Sequence, residues 1–62
     1  MKKHNYRITV EWEVAIASDD AENMSDEMIC KRCTIAEACK HAEEFAYVLG
    51  VDPTAIHIER TR

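Results

Sequence analysis

Glycine and proline are nearly missing from this sequence, with one of each in 62 residues, and aromatic side chains make up only 6%. So little glycine and proline argues against a disordered or low-complexity chain, and the apolar fraction of 47% is that of an ordinary folded globule. No apolar run approaches the ~20 residues a bilayer span needs. The basic start, Met1-Lys2-Lys3-His4-Asn5-Tyr6, leads into alternating charged residues and not into the apolar stretch of an export signal. The expectation is therefore a cytoplasmic protein whose three cysteines are reduced thiols, an odd number that suits a disulfide framework poorly.

Positive charge is also missing from a long stretch. Residues 8–29 contain Glu11, Glu13, Asp19, Asp20, Glu22, Asp26 and Glu27 without a Lys or Arg, whereas Lys2, Lys3 and Arg7 precede them. The formal net charge is −4. A field of that sign opposes direct nucleic-acid binding and favours a partner with a basic surface.

What is present reads as one α+β domain over residues 1–62. Tyr6, Ile8, Val10, Trp12, Val14 and Ile16 alternate with Arg7, Thr9, Glu11, Glu13, Ala15 and Ala17, the period of two that places large apolar groups on one face of a strand. A strand over 5–17 is long enough to pair with two neighbours or to bend at a bulge. Ser18 to Asn23 carries turn-forming residues. Residues 24–33 admit two readings: a second strand folding back on the first, or a short helix capped by Asp19 with Met24 and Met28 inward. The hairpin is preferred, because a helix there would leave too little sheet.

A helix over 34–50 follows from stronger signals. Thr34-Ile35-Ala36-Glu37 is a capping box, and Ile35, Ala38, Cys39, Ala42, Phe45, Ala46 and Leu49 form an apolar stripe. Gly50 and then Pro53 end it. A last strand over 54–61 turns Ile56 and Ile58 inward and His57 and Glu59 outward. The expected fold is ββαβ: a three-stranded antiparallel sheet with one amphipathic helix packed on one face.

Three constellations could carry chemistry. Cys30 and Cys33, with Cys39 and His41, have the look of a zinc site. A metal-gripping CxxC needs a tight turn, however, and Cys39 and His41 lie about 200° apart around a helix. The expectation is no metal, with Cys39 buried in the stripe and Cys30 and Cys33 as incidental thiols; a zinc module using Cys30, Cys33 and Cys39 is the alternative. A redox CxxC, with Lys31 and Arg32 placing charge beside a thiol, lacks the preceding βα crossover such sites have. Glu11, Glu13, His57 and Glu59 should share the outer sheet face, where a carboxylate–imidazole group could bind metal or move protons. Without a pocket or nucleophile this is read as a solvated face, so no catalytic residue and no cofactor are expected. The third constellation is the acidic run Glu11, Glu13, Asp19, Asp20, Glu22, Asp26 and Glu27, taken as the partner-binding surface.

The alternating strand Tyr6–Ile16, the junction Cys33-Thr34-Ile35-Ala36-Glu37-Ala38 and the terminal strand Ile56–Ile58, in a short acidic chain, resemble small phage and mobile-element proteins of the anti-CRISPR type. The resemblance implies a non-enzymatic inhibitor that occludes a basic, nucleic-acid-binding surface of a host nuclease complex, such as a CRISPR effector subunit. A homodimer completing its core through open strand edges is a further alternative.

Overall fold

A computed structural model describes residues 2–15 and 21–61. Its elements are β1 (His4–Ala15), β2 (Ala21–Cys33), α1 (Ile35–Leu49) and β3 (Ala55–Thr61). The three strands form one sheet in the order β2-β1-β3, with β1 antiparallel to both neighbours. This is the expected ββαβ arrangement, and the long first strand does pair on both sides. Because β2 and β3 flank the same antiparallel partner, they run parallel to each other, and α1 carries the chain past β1 from one edge to the other.

Alternation in β1 sets the core. Tyr6, Ile8 and Val10 are buried, and Ile8 and Val10 are the largest side chains with no solvent contact. Ile8 registers with Met28 on one side and Ile58 on the other, so the three strands present one apolar row to the helix. The helix meets that row with Ala38, Ala42 and Ala46, whose small side chains permit a close approach. Phe45, Leu49 and Val51 pack around the rim, with Trp12 and Met28.

The helix ends form as expected. The Glu37 N–H donates to the Thr34 hydroxyl at 3.2 Å, and the Thr34 N–H donates to Glu37 Oε1 at 3.0 Å, which closes the capping box. Gly50 adopts φ 70°, ψ 31°. Its N–H donates to the Tyr47 carbonyl at 3.0 Å while that of Val51 donates to Ala46 at 3.3 Å, a Schellman end that requires a left-handed residue.

Several expectations change. Residues 24–33 are strand throughout, so the short-helix alternative is set aside, and β2 begins already at Ala21. Ala21, Glu22 and Asn23 therefore belong to a strand and not to the expected turn, with Glu22 opposite Val14; Ser18, Asp19 and Asp20 lie outside the described residues, as do Ile16 and Ala17. Ile35 and Cys39 are exposed, not buried in the helix stripe. Their positions, one turn apart, sit on the flank that turns away from the sheet, and the buried line runs instead through Thr34, Ala38, Ala42 and Ala46.

Candidate functional site

Of the acidic run, Glu13 and Glu22 lie on a ribbon of two strands, while Glu11, Asp26 and Glu27 lie on or opposite the part of β1 that also pairs with β3. The last β1–β3 pair is Glu11 with Ala55, so beyond it Trp12–Ala15 pair only with Ala21–Met24. Residues 21–27 and 13–15 are all exposed. Pleating divides the acids: Glu11, Glu13 and Glu27 project from the outer face, whereas Glu22 and Asp26 register with Val14 and Val10 and project from the face that carries the helix. The ribbon thus presents carboxylates on both faces, not on one. Asp19 and Asp20 lie outside the described residues. Val14 and Met24 add apolar surface between the charges, each 41% exposed.

The outer-face group is only partly assembled. His57 Nε2 contacts the Glu11 carboxylate, and Arg7 pairs with Glu59 at 3.2 Å. Arg7 and Glu59 are direct cross-strand partners, while Glu11 reaches His57 diagonally from its register position opposite Ala55. Glu59 is therefore engaged by Arg7, and Glu13 lies on the ribbon beyond β3. Glu11–His57 and Arg7–Glu59 are thus two separate exposed pairs, neither of which includes Glu13, and each is worth a few tenths of a kcal/mol up to about 1.

At the other end of the sheet the structure corrects the cysteine reading. Cys30 and Cys33 are joined by a disulfide with their Cα atoms 6.3 Å apart, and both are buried. They are therefore neither free nor incidental. The cause is a local break in the pleat: the β1–β2 register shifts between His4 and Tyr6, and Arg32 takes φ 55°. The Arg32 N–H donates to Asn5 Oδ1 at 3.0 Å, which holds this left-handed residue in place. The bend supplies the tight turn that a straight strand would not.

His41 completes this corner. Its ring nitrogen and the two sulfurs all lie within 4.8 Å of one another, whereas Cys39, the remaining thiol, is exposed elsewhere on the helix. Sequence reasoning weighed His41 only against Cys39. The informative spacing runs from the cap: His41 is seven residues after Thr34, two turns up the same face, and helical side chains lean toward the N-terminus. A CxxC placed directly before the cap is thus within reach of that imidazole.

Around this corner the charge is positive. Lys3, His4, Asn5, Lys31, Arg32 and Thr61 line an open groove beside it. Glu37, at the first turn of α1, is held below the ordinary glutamate pKa chiefly by the Thr34 backbone N–H, then by the Thr34 hydroxyl, with smaller attraction from Lys3 and His41. The molecule therefore has an acidic ribbon at one end and a basic, cysteine-containing corner at the other. Among the described residues, no helix is long and apolar enough to cross a membrane. No protein-family model matches the chain, and no curated protein or solved structure matches it.

Proposed function

We propose that the chain is a non-catalytic cytoplasmic protein-binding module whose β1–β2 ribbon occupies a basic surface on a partner protein. The observation that carries this reading is the exposed acidic end of the β1–β2 hairpin: its two-stranded part, with Glu13 and Glu22, extends beyond β3, and every residue from Ala21 to Glu27 is exposed, with Asp26 and Glu27 next along β2. Pairing in register fixes these carboxylates relative to one another, which limits the entropy lost when they meet cationic side chains. Carboxylates on both faces suit a groove better than a flat surface, since a groove contacts both sides of an inserted ribbon. A groove that normally holds a nucleic-acid backbone has the required density of Lys and Arg. The partner class implied by the resemblance to anti-CRISPR proteins, an RNA-guided nuclease complex, offers such a groove, and occupation of it would inhibit without chemistry.

The test uses purified RNA-guided nuclease complexes immobilised one at a time and probed with this protein at low salt and at about 1 M salt, where the Debye length falls to ~3 Å. Binding at low salt, release at high salt and loss in the triple variant Glu22→Lys, Asp26→Lys, Glu27→Lys with helix content unchanged are expected. Equal binding by the triple variant would show that the ribbon does not make the contact.

A further inference from the structure

We infer that Cys30, Cys33 and His41 form a redox-gated site for a zinc-class ion, closed as a disulfide when oxidised and able to take metal when reduced. Among the described residues, these three are the group of metal-ligating side chains whose donor atoms converge within 4.8 Å. Two sulfurs and one imidazole nitrogen are the ligand types that select borderline-soft ions of tetrahedral preference over calcium or magnesium. Around a tetrahedral ion with metal–sulfur bonds near 2.3 Å and metal–nitrogen bonds near 2.0 Å, donor atoms stand roughly 3.5–3.8 Å apart. The backbone already places the side chains for that geometry, because the Cα atoms of the two cysteines are 6.3 Å apart and both project into the space under α1.

Three features fit a ligand site better than a plain structural crosslink. The chain takes a left-handed residue, Arg32, and a register shift to bring the sulfurs together. A histidine from a different element meets them, although a disulfide has no use for an imidazole. Finally, Lys31 and Arg32 lie between the cysteines and Lys3 lies close by, so two thiolates would form next to cations. His41 is only half-buried, which leaves the fourth coordination position open to water, as in zinc sites that exchange a ligand. His4 stands opposite Cys33 in register but outside the converging set.

The chemistry balances simply. Opening the disulfide takes two electrons and two protons from a thiol reductant, which is itself oxidised to a disulfide. The ion then displaces both thiol protons, so the ligands are two thiolates and one neutral imidazole, and the filled site carries no net charge. Metal and disulfide exclude each other, because the same sulfur electron pairs serve both. In a reducing cytoplasm the corner would hold metal; when a disulfide oxidant accepts two electrons from the two thiolates and is itself reduced to thiols, the corner would release the ion and close.

The experiment is a titration of the full chain, reduced with a phosphine that is then removed under anaerobic conditions, with Co2+ and afterwards Zn2+. Saturation at one Co2+ per chain is expected, with thiolate-to-cobalt charge-transfer absorption and tetrahedral ligand-field bands, followed by displacement by Zn2+. The air-oxidised chain should show neither. His41→Ala should weaken binding at least about tenfold, since even loss of an outer-shell partner costs 10- to 100-fold. Cys39→Ser should leave it unchanged. Cys30→Ser and Cys33→Ser alter buried positions on which the core depends, so the half-buried His41 and exposed Cys39 variants decide the matter. Absence of saturable binding, an unaltered affinity in His41→Ala, or loss in Cys39→Ser would each overturn the assignment.

Discussion

Thr34 serves both the helix start and the cysteine corner from one position. It is buried, it accepts from the Glu37 N–H through its hydroxyl, and it gives its own N–H to the Glu37 carboxylate. It also follows directly on Cys33, so the cap fixes the direction in which α1 leaves the cysteine corner. Thr34→Ala should cost about 1 kcal/mol by removal of the cap, read as a lower midpoint in urea. The carboxylate half has its own signature. The Glu37 pKa is lowered on folding, so the charged form is the one that stabilises. That contribution is present above the ordinary glutamate pKa and disappears as the pH falls through the lower folded value. Any stability difference between the native protein and Glu37→Gln at pH 7 should therefore vanish in strongly acidic buffer, where both side chains are neutral; a difference constant across that range would contradict the assigned partner. The capping box was legible because four adjacent residues contain it. The spacing from the cap puts His41 within reach of a CxxC before it, but that both sulfurs turn toward the ring was not legible, because it depends on Arg32 adopting a left-handed conformation that no local pattern announces.

At the scale of elements, β1 and β2 differ in how much of them the sequence discloses. β1 alternates cleanly and sits between two partners. β2 begins Ala21-Glu22-Asn23-Met24-Ser25-Asp26-Glu27, a composition that suits a turn, and becomes strand because β1 offers it an unpaired edge. Charge placement follows the same logic. The density of acids between residues 11 and 27 is plain in the sequence, but whether they share a face depends on cross-strand register, and register sends Glu22 and Asp26 to the opposite side from Glu11, Glu13 and Glu27. A two-stranded ribbon with no third strand is marginal in water. Backbone amides of residues 13–15 and 21–24 should therefore exchange with solvent by local opening, well ahead of those of Arg7 to Val10, which are held on both sides. Hydrogen exchange followed by NMR reads this directly. Uniform protection along β1 would mean that something else braces the ribbon.

For the molecule as a whole, the limit is core volume. A chain of 62 residues buries about 60% of its unfolded surface, and here part of the chain is committed to a solvated ribbon. The buried set contains three alanines and two cysteines, leaving Tyr6, Ile8 and Val10 as the larger side chains at its centre. Total stability for this length is expected to be roughly 3–9 kcal/mol. Ile8 meets both neighbouring strands and the helix: it registers with Met28 and Ile58 and faces the alanine line of α1. Truncation to alanine removes packing from two strand neighbours and the helix at once. Ile8→Ala should therefore cost about 2–5 kcal/mol, a large part of that total. Circular dichroism should show a large loss of folded population at room temperature in this variant, whereas Val14→Ala on the exposed ribbon should stay within about 0.5 kcal/mol of the native protein. The contrast separates the two halves of the sheet: one holds the fold together, and the other is solvated and carries little of the stability.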